Sequence, residues 1–362
     1  MNPLADGRDL MRRPTCIRLV VAGMCAAWAC AVSTGTAAQD AVETFYKGKQ
    51  INIVVGSSAG GGYDTYARLL GRYLGNSIPG NPSIVPQNMT GAGSNRAAAY
   101  IYTVAPKDGT AIGAIFPGAV LQPLVGDAQV QHDPSKFIYL GSANSDQYVC
   151  FVRADAPVKT FGDVMNRELI VGASNEGGTT RDLPTLMNNV LGTKFRIVTG
   201  YAGSREIILA LERNEVQGIC GIGWTGIPTM HPDWFARGTI KVLAQLGVKG
   251  HADLNKMGAP LAIDFAKTAE DRQVMELIMS QGLFGRPFVL PPGVPADRVA
   301  ALRKGFMEAW QSKALLGEAE KMKLDLEPLS GEDLQALVRR MYGTPSAIVE
   351  RARLALAAKP QR

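Results

Sequence analysis

The chain has little of what most enzyme chemistry requires. It carries three histidines in 362 residues (His132, His231 and His251) and five cysteines, three of which (Cys16, Cys25 and Cys30) stand near the N-terminus. Histidines and cysteines this dispersed form no metal-ligand set, and no pair of carboxylates is placed for acid–base work. No stripe of basic residues interleaved with aromatics is present, which excludes the usual nucleic-acid footprint. There is no internal repeat and no low-complexity linker. The glycine-rich stretches lack the Lys-Ser/Thr of a P-loop, and none completes G-x-G-x-x-G, so nucleotide binding is unsupported. No cofactor and no metal are expected.

Long hydrophobic runs are also missing, apart from the uncharged run Leu19 to Val32. That run is too short to span a bilayer comfortably. Arg8, Arg12, Arg13 and Arg18 precede it, and the small residues Thr36, Ala37 and Ala38 follow. This is the pattern of an export signal over residues 1–38, cleaved near Ala38, and it predicts a free periplasmic product. Met11 offers an alternative start. Removal of 1–38 takes away four basic and two acidic residues, and the formal charge falls from +6 to +4. Cys150 and Cys220 then remain, in "YVCFV" and "GICGI". An oxidising compartment would allow them to pair, although cysteines in apolar strands are more often buried thiols.

What is present is ample apolar sequence, 46% hydrophobic against 19% charged, over a length that suits about two domains. "INIVV" (51–55) is a β-branched run, and Tyr66, Leu69, Leu70, Tyr73 and Leu74 then recur at helical spacing. The alternation continues through "SIVPQ", "NRAAAYIYTV", "TAIGAIF", "FIYLG" and "YVCFV". It goes on through "ELIVGA", a helix from about Thr180 to Leu191, "FRIVTGY", "SREIILALERN", "VQGICGI" and "TIKVLAQLG". From Glu270 the chain reads as mainly helical. This rhythm implies α/β layers with largely parallel sheets, joined by strand-like crossovers.

Three glycine-rich turns each follow a strand and open a helix: "VVGSSAGGGYDTYARLL" (54–70), "MTGAGSNRAAA" and "GASNEGGTTRD". The first matches G-x-S-x-G, which would make Ser58 the nucleophile of a hydrolase. In that elbow the helix starts directly behind the serine, whereas Gly61 and Gly62 intervene here, with Asp64 as the expected N-cap. A turn of this kind otherwise points backbone N–H groups and a helix N-terminus into a crevice, which suits a carboxylate. Arg68, four residues beyond Asp64, is placed for an i,i+4 pair.

Residues Gly60-Gly61-Gly62-Tyr63-Asp64, Ala67-Arg68, Thr90-Gly91-Ala92-Gly93 and Pro106-Lys107-Asp108-Gly109-Thr110, followed downstream by "VTGYAGSREIILALERNEVQGI", resemble the Bug, or TctC-type, extracytoplasmic solute receptors of tripartite tricarboxylate transporters. The likeness runs from about residue 45 to 250. It departs from the family at Ser58-Ala59, at Thr90, where proline is common, and at Ala202, where lysine is usual beside Tyr201. The resemblance implies a type 2 periplasmic-binding-protein fold, two α/β domains with an interdomain ligand cleft. The first domain would comprise 39–146 with 245–362, and the second 147–244. It also implies a monomeric receptor that captures a small organic carboxylate for membrane permease subunits and is not an enzyme.

Carried over residue by residue, the ligand site would use Ser57, Ser58, Gly60, Gly61, Gly62 and Asp64 in the first loop. Phe116 and Ala119 would line one wall, and the second domain would supply Ser174, Gly178, Thr179 and Tyr201. Each has a plainer reading: Asp64 as a helix cap, Phe116 and Tyr201 as core aromatics, Ser174 and Thr179 as turn residues. Trp224 and Trp234 fit packing or the cleft rim equally. An exported serine hydrolase using Ser58, or a binding or sensor module without a permease, are the alternative functions.

Overall fold

The computed structural model describes residues 40–126, 130–201, 203–225, 227 and 231–357; the expected signal segment 1–38 and Ala202 lie outside these residues. Its strands are β1 (Gln50–Val55), β2 (Ser83–Asn88), β3 (Ala111–Ala114), β4 (Ile138–Ser142), β5 (Tyr148–Arg153), β6 (Leu169–Gly172), β7 (Phe195–Val198), β8 (Gly218–Gly223), β9 (Ile240–Gln245), β10 (Pro287–Leu290) and β11 (Leu329–Ser330). The helices used below are α1 (Gly62–Leu74), α2 (Asn95–Thr103), α3 (Pro117–Val125), α4 (Thr179–Leu191), α5 (Ser204–Glu212), α6 (Ala269–Met279), α7 (Ala296–Gln311), α8 (Lys313–Lys321), α9 (Gly331–Tyr342) and α10 (Ser346–Leu356).

The strands form two sheets, ordered β11-β4-β10-β3-β1-β2 and β7-β6-β8-β5-β9. Each sheet repeats one plan. Co-directional strands are interrupted by an antiparallel strand that arrives from the other side of a crossover: β10 between β3 and β4 in the first, β5 between β8 and β9 in the second. The first sheet also carries β11, antiparallel to β4, at its edge. The expected α/β layers are present, but the sheets are mixed and not largely parallel: four strand pairings are parallel and five antiparallel. The chain passes between the sheets at 143–147 and returns after β9 through a stretch that carries α6, where strand-like crossovers were expected. Apolar β-branched residues make the first strand, with Ile51, Ile53, Val54 and Val55 all buried, and α1 turns Tyr66, Ala67, Leu69, Leu70 and Leu74 onto it.

Two elements differ from the sequence reading. β10 lies in the middle of the first sheet, within a region that reads as helical. It is four residues long and buried on both faces, so it has neither length nor alternation to mark it. α1 begins at Gly62, with Gly61 as its N-cap, so Asp64 is a first-turn residue and not the cap.

Register places the loops. Val55 of β1 pairs with Asn88 of β2 and with Ala114 of β3, so the turns after these strands leave from one edge. In the second sheet Gly172 of β6 pairs with Val198 of β7 and Ile219 of β8, with the same result. The C-terminal helix α10 packs against α6 and α4, and also touches α3. No helix among the described residues is long and apolar enough to cross a membrane.

Candidate functional site

The first glycine loop is held by one carboxylate. Asp64 is 2% exposed and accepts from the Gly60 N–H at 2.8 Å, from Arg68 Nε at 2.9 Å and from Asn88 Nδ2 at 2.8 Å. Asn88 Nδ2 also donates to the Ser57 carbonyl at 2.9 Å, which ties the loop to the end of β2. Burial alone would raise the Asp64 pKa, but the bonds from Arg68, Gly60 and Asn88 together hold it below the ordinary carboxylate value. Of the three glycines, Gly60 alone adopts a left-handed φ (+77°). The Gly60 and Gly61 N–H groups bond within the loop, the latter to the Ser58 carbonyl at 3.4 Å. The first-turn N–H groups that follow, at Gly62 and Tyr63, have no helical carbonyl behind them. Ser58, Ala59, Gly60 and Gly62 are exposed, whereas Ser57 is buried.

The second turn runs Gly91-Ala92-Gly93-Ser94 with φ of 131°, 47°, 58° and 75°. Left-handed alanine and serine are costly and persist only where the surroundings fix them. This turn and the start of α3 meet the second sheet's turn at 174–178. A Cβ on Gly93 would lie 3.5 Å from the Gly177 carbonyl oxygen, and one on Gly118 would lie 2.7 Å from it. Loops from the two sheets therefore abut, with glycine where they come closest.

In the second sheet, Ser174 Oγ and Thr180 Oγ1 are 2.9 Å apart, and Thr179 Oγ1 donates to the Gly221 carbonyl at 2.6 Å. Both named hydroxyls are thus engaged within their own sheet. Gly178 is the N-cap of α4, and its N–H bonds to the Asn175 carbonyl at 3.1 Å. Tyr201 is half-buried and packs against the core beneath α5. Phe116 is half-buried, its ring 4.3 Å from that of Tyr63. Ala119 differs from its expected place on a cleft wall: it is fully buried, and its carbonyl contacts His132 Nε2 at 2.8 Å. This small side chain, three residues beyond the α3 N-cap Phe116, turns inward with the helix's apolar face.

Sequence reasoning missed Arg286. Its guanidinium carbon lies 4.1 Å from the centroid of the Tyr66 ring and 5.5 Å from that of Tyr63. Nη1 donates to Asn144 Oδ1 at 2.7 Å, and the Tyr63 hydroxyl donates to the neighbouring Gly285 carbonyl at 3.2 Å. Burial raises the Tyr66 pKa to about 12, so this phenol stays neutral beside the cation. Burial also raises Asp146, against the pull of Arg286. Arg286 lies 142 positions from Asn144 and more than two hundred from Tyr63 and Tyr66, and no local pattern in the sequence reports these contacts.

The histidines all have other engagements: His132 with Ala119, His231 stacked on Trp234 at 3.9 Å, and His251 accepting from the Asp253 N–H. None is bonded to Ser58. No group of three potential metal ligands occurs among the described residues.

No family model matches the sequence, and no curated protein resembles it. Solved structures do. A TctC solute-binding protein from Polaromonas is 19% identical, with a TM-score of 0.59 over 84% of this chain and 99% of its own. The periplasmic binding protein BugD is 18% identical, with a TM-score of 0.64 over 85% and 98%. MatC from Rhodopseudomonas palustris, solved with bound malate, is 17% identical, with a TM-score of 0.62 over 83% and 99%. The chain has the two-domain α/β fold of the periplasmic solute-binding proteins, of the type 2 plan. Within that class its fold is that of the TctC and Bug proteins.

Proposed function

We propose that the chain is a periplasmic solute-binding receptor that captures a small organic carboxylate and presents it to the permease of a tripartite tricarboxylate transporter. One observation carries this reading: the glycine-rich turns of both sheets leave from the carboxyl edges of parallel strands and meet there, where ligands of open α/β sheets bind. The exposed first loop opens α1, whose leading N–H groups and dipole favour an anion. The malate bound to MatC makes a carboxylic acid the first ligand class to try.

In this reading 39–146 with 245–362 forms one domain and 147–244 the other, and the ligand is held between them by Ser57, Ser58, Gly60–Gly62 and Phe116 on one side and the 174–179 turn and Tyr201 on the other. Asp64 shapes the loop from behind. The mature chain is free in the periplasm after cleavage near Ala38, monomeric, without a cofactor, and not an enzyme. Ser58 is exposed as a nucleophile would be, yet no histidine is bonded to it.

Calorimetric titration with malate, succinate and citrate, and with the corresponding amides, tests the reading. The acids are expected to bind and the amides to fail, since the loop offers donors to an ionised group. Equal binding of acid and amide, or labelling of Ser58 by a fluorophosphonate, would overturn it.

A further inference from the structure

The crossover between the sheets carries a cation that the protein satisfies incompletely. The Arg286 side chain is 12% exposed, and the carboxylate facing it, Asp146, stands 3.6 Å away, beyond a direct hydrogen bond. Asn144 takes one donor, and the faces of Tyr63 and Tyr66 take much of the rest of the surroundings. Arg286 Nε is buried and bonded to no protein group, and the same holds for Nδ2 of the adjoining Asn144, which is fully buried. A guanidinium keeps its charge and presents five N–H donors. Two idle buried donors side by side are unusual.

Gly62 shows where this charge is directed. A Cβ built on Gly62 would have Arg286 Nη2, at 3.7 Å, as its one neighbour within 4 Å. Gly62 is itself exposed and begins α1. A single residue without a side chain therefore separates the guanidinium from the surface on which the first loop's N–H groups are offered. Arg68, the other cation at this loop, is neutralised by Asp64, so it does not duplicate the charge of Arg286.

We propose that Arg286 is the fixed counter-charge of the carboxylate site, acting across Gly62 on the ionised group held by the first glycine loop, with Asp146 setting how much of that charge the ligand feels. The inference rests on the carboxylate reading given above and adds a specificity residue to it. The site then discriminates charge through a side chain, and not through backbone dipoles alone. Asp146 also accepts weakly from Thr225 Oγ1, 3.4 Å away at the end of β8, and Asp325 adds negative charge nearby, its carbonyl bonded to the Tyr66 hydroxyl at 2.7 Å.

The two partners of the pair have opposite effects under this proposal. Malate is titrated by calorimetry into the wild type, Arg286→Gln, Arg286→Lys and Asp146→Asn, each checked for folding by circular dichroism. Arg286→Gln is expected to weaken binding by roughly 30-fold or more, while Arg286→Lys, which keeps the charge, stays within roughly 5-fold of the wild type. Asp146→Asn, which removes the competing negative charge, is expected to tighten binding by roughly 3- to 10-fold. Arg286→Gln binding as the wild type does, or Asp146→Asn leaving binding unchanged or weaker, would mark the two as a closed structural pair and overturn the proposal. If Arg286→Gln does not fold, the sign of the Asp146→Asn effect decides alone. A wild type that binds neither malate nor any other acid of the panel would instead remove the carboxylate reading itself, and the proposal with it.

Discussion

Asp64 shows how one side chain can shape a loop while leaving its outer face open. It fixes Gly60 in the left-handed region, engages Arg68 on its own helix and receives Asn88 from the neighbouring strand. Asp64→Asn keeps the shape and removes the charge, so it is expected to lower the unfolding free energy by about 1–3 kcal/mol, read by urea denaturation. The wild-type carboxyl has a folded pKa below its ordinary value, so its contribution is fully present above the ordinary value and is lost as the pH falls from there through the lower folded pKa. The Asn variant should therefore approach the wild type in stability on acidification, and a difference that stays constant with pH would refute this role. The Asp64-to-Arg68 pair was legible in the sequence because it is local, four residues apart, whereas the bond that Asp64 accepts from the Gly60 N–H was not, because Asp64 was expected to cap the helix. Asn88 and Arg286 were not, because they reach the loop through sheet register and a crossover. The identity of the first-turn residue was legible, but its rank as cap was not: Gly61 has the extended backbone (φ −77°, ψ 167°) that an N-cap adopts, and three successive glycines leave the starting point of a helix undetermined by propensity.

At the scale of elements, periodicity identified most strands and the long helices, and their order yielded the layers. β10 escaped because a short, doubly buried strand in a helical region has no periodic signature, although it is the strand that brings Arg286 to the first sheet. The cysteines illustrate a second limit. Sequence left Cys150 and Cys220 open between a bond and two buried thiols, and register decides: they face each other across β5 and β8 and are joined as a disulfide spanning 70 residues. Both are fully buried in the second sheet. By the chain-entropy argument a loop of that length gives about 4 kcal/mol. Cys150→Ala with Cys220→Ala is expected to lower stability by up to that amount, seen in denaturant unfolding. Alkylation of the unreduced, unfolded wild type should find no free thiol, and two labelled cysteines would contradict the bond.

At the scale of the whole molecule, the C-terminal helix is coupled to the place where the two sheets meet. Arg181 on α4 donates to the Leu356 carbonyl at the end of α10 at 2.7 Å and to Asp182 at 3.0 Å. Asp182 in turn faces the Gly177 N–H at 3.4 Å, in the turn whose carbonyl sits against Gly118 of the first sheet's α3. Burial raises the Asp182 pKa to about 6 and Glu176 adds to the rise, while the charge and hydrogen bond of Arg181 and the Gly177 N–H oppose it. The folded pKa exceeds the unfolded one, so the folded state holds this proton more tightly. The stabilisation is complete below the unfolded pKa and is lost as the pH rises through about 6. Asp182→Asn imitates the protonated carboxyl at every pH. Between pH 4 and 7 the wild type should therefore lose up to roughly 3 kcal/mol of unfolding free energy relative to the Asn variant. Urea denaturation of both proteins at pH 4, 5, 6 and 7 measures this difference directly, with other titrating groups common to the two. Curves that run parallel across the range would show that Asp182 titrates alike in the folded and unfolded chains, and that the junction of α10, α4 and the 174–178 turn carries no proton-linked stability.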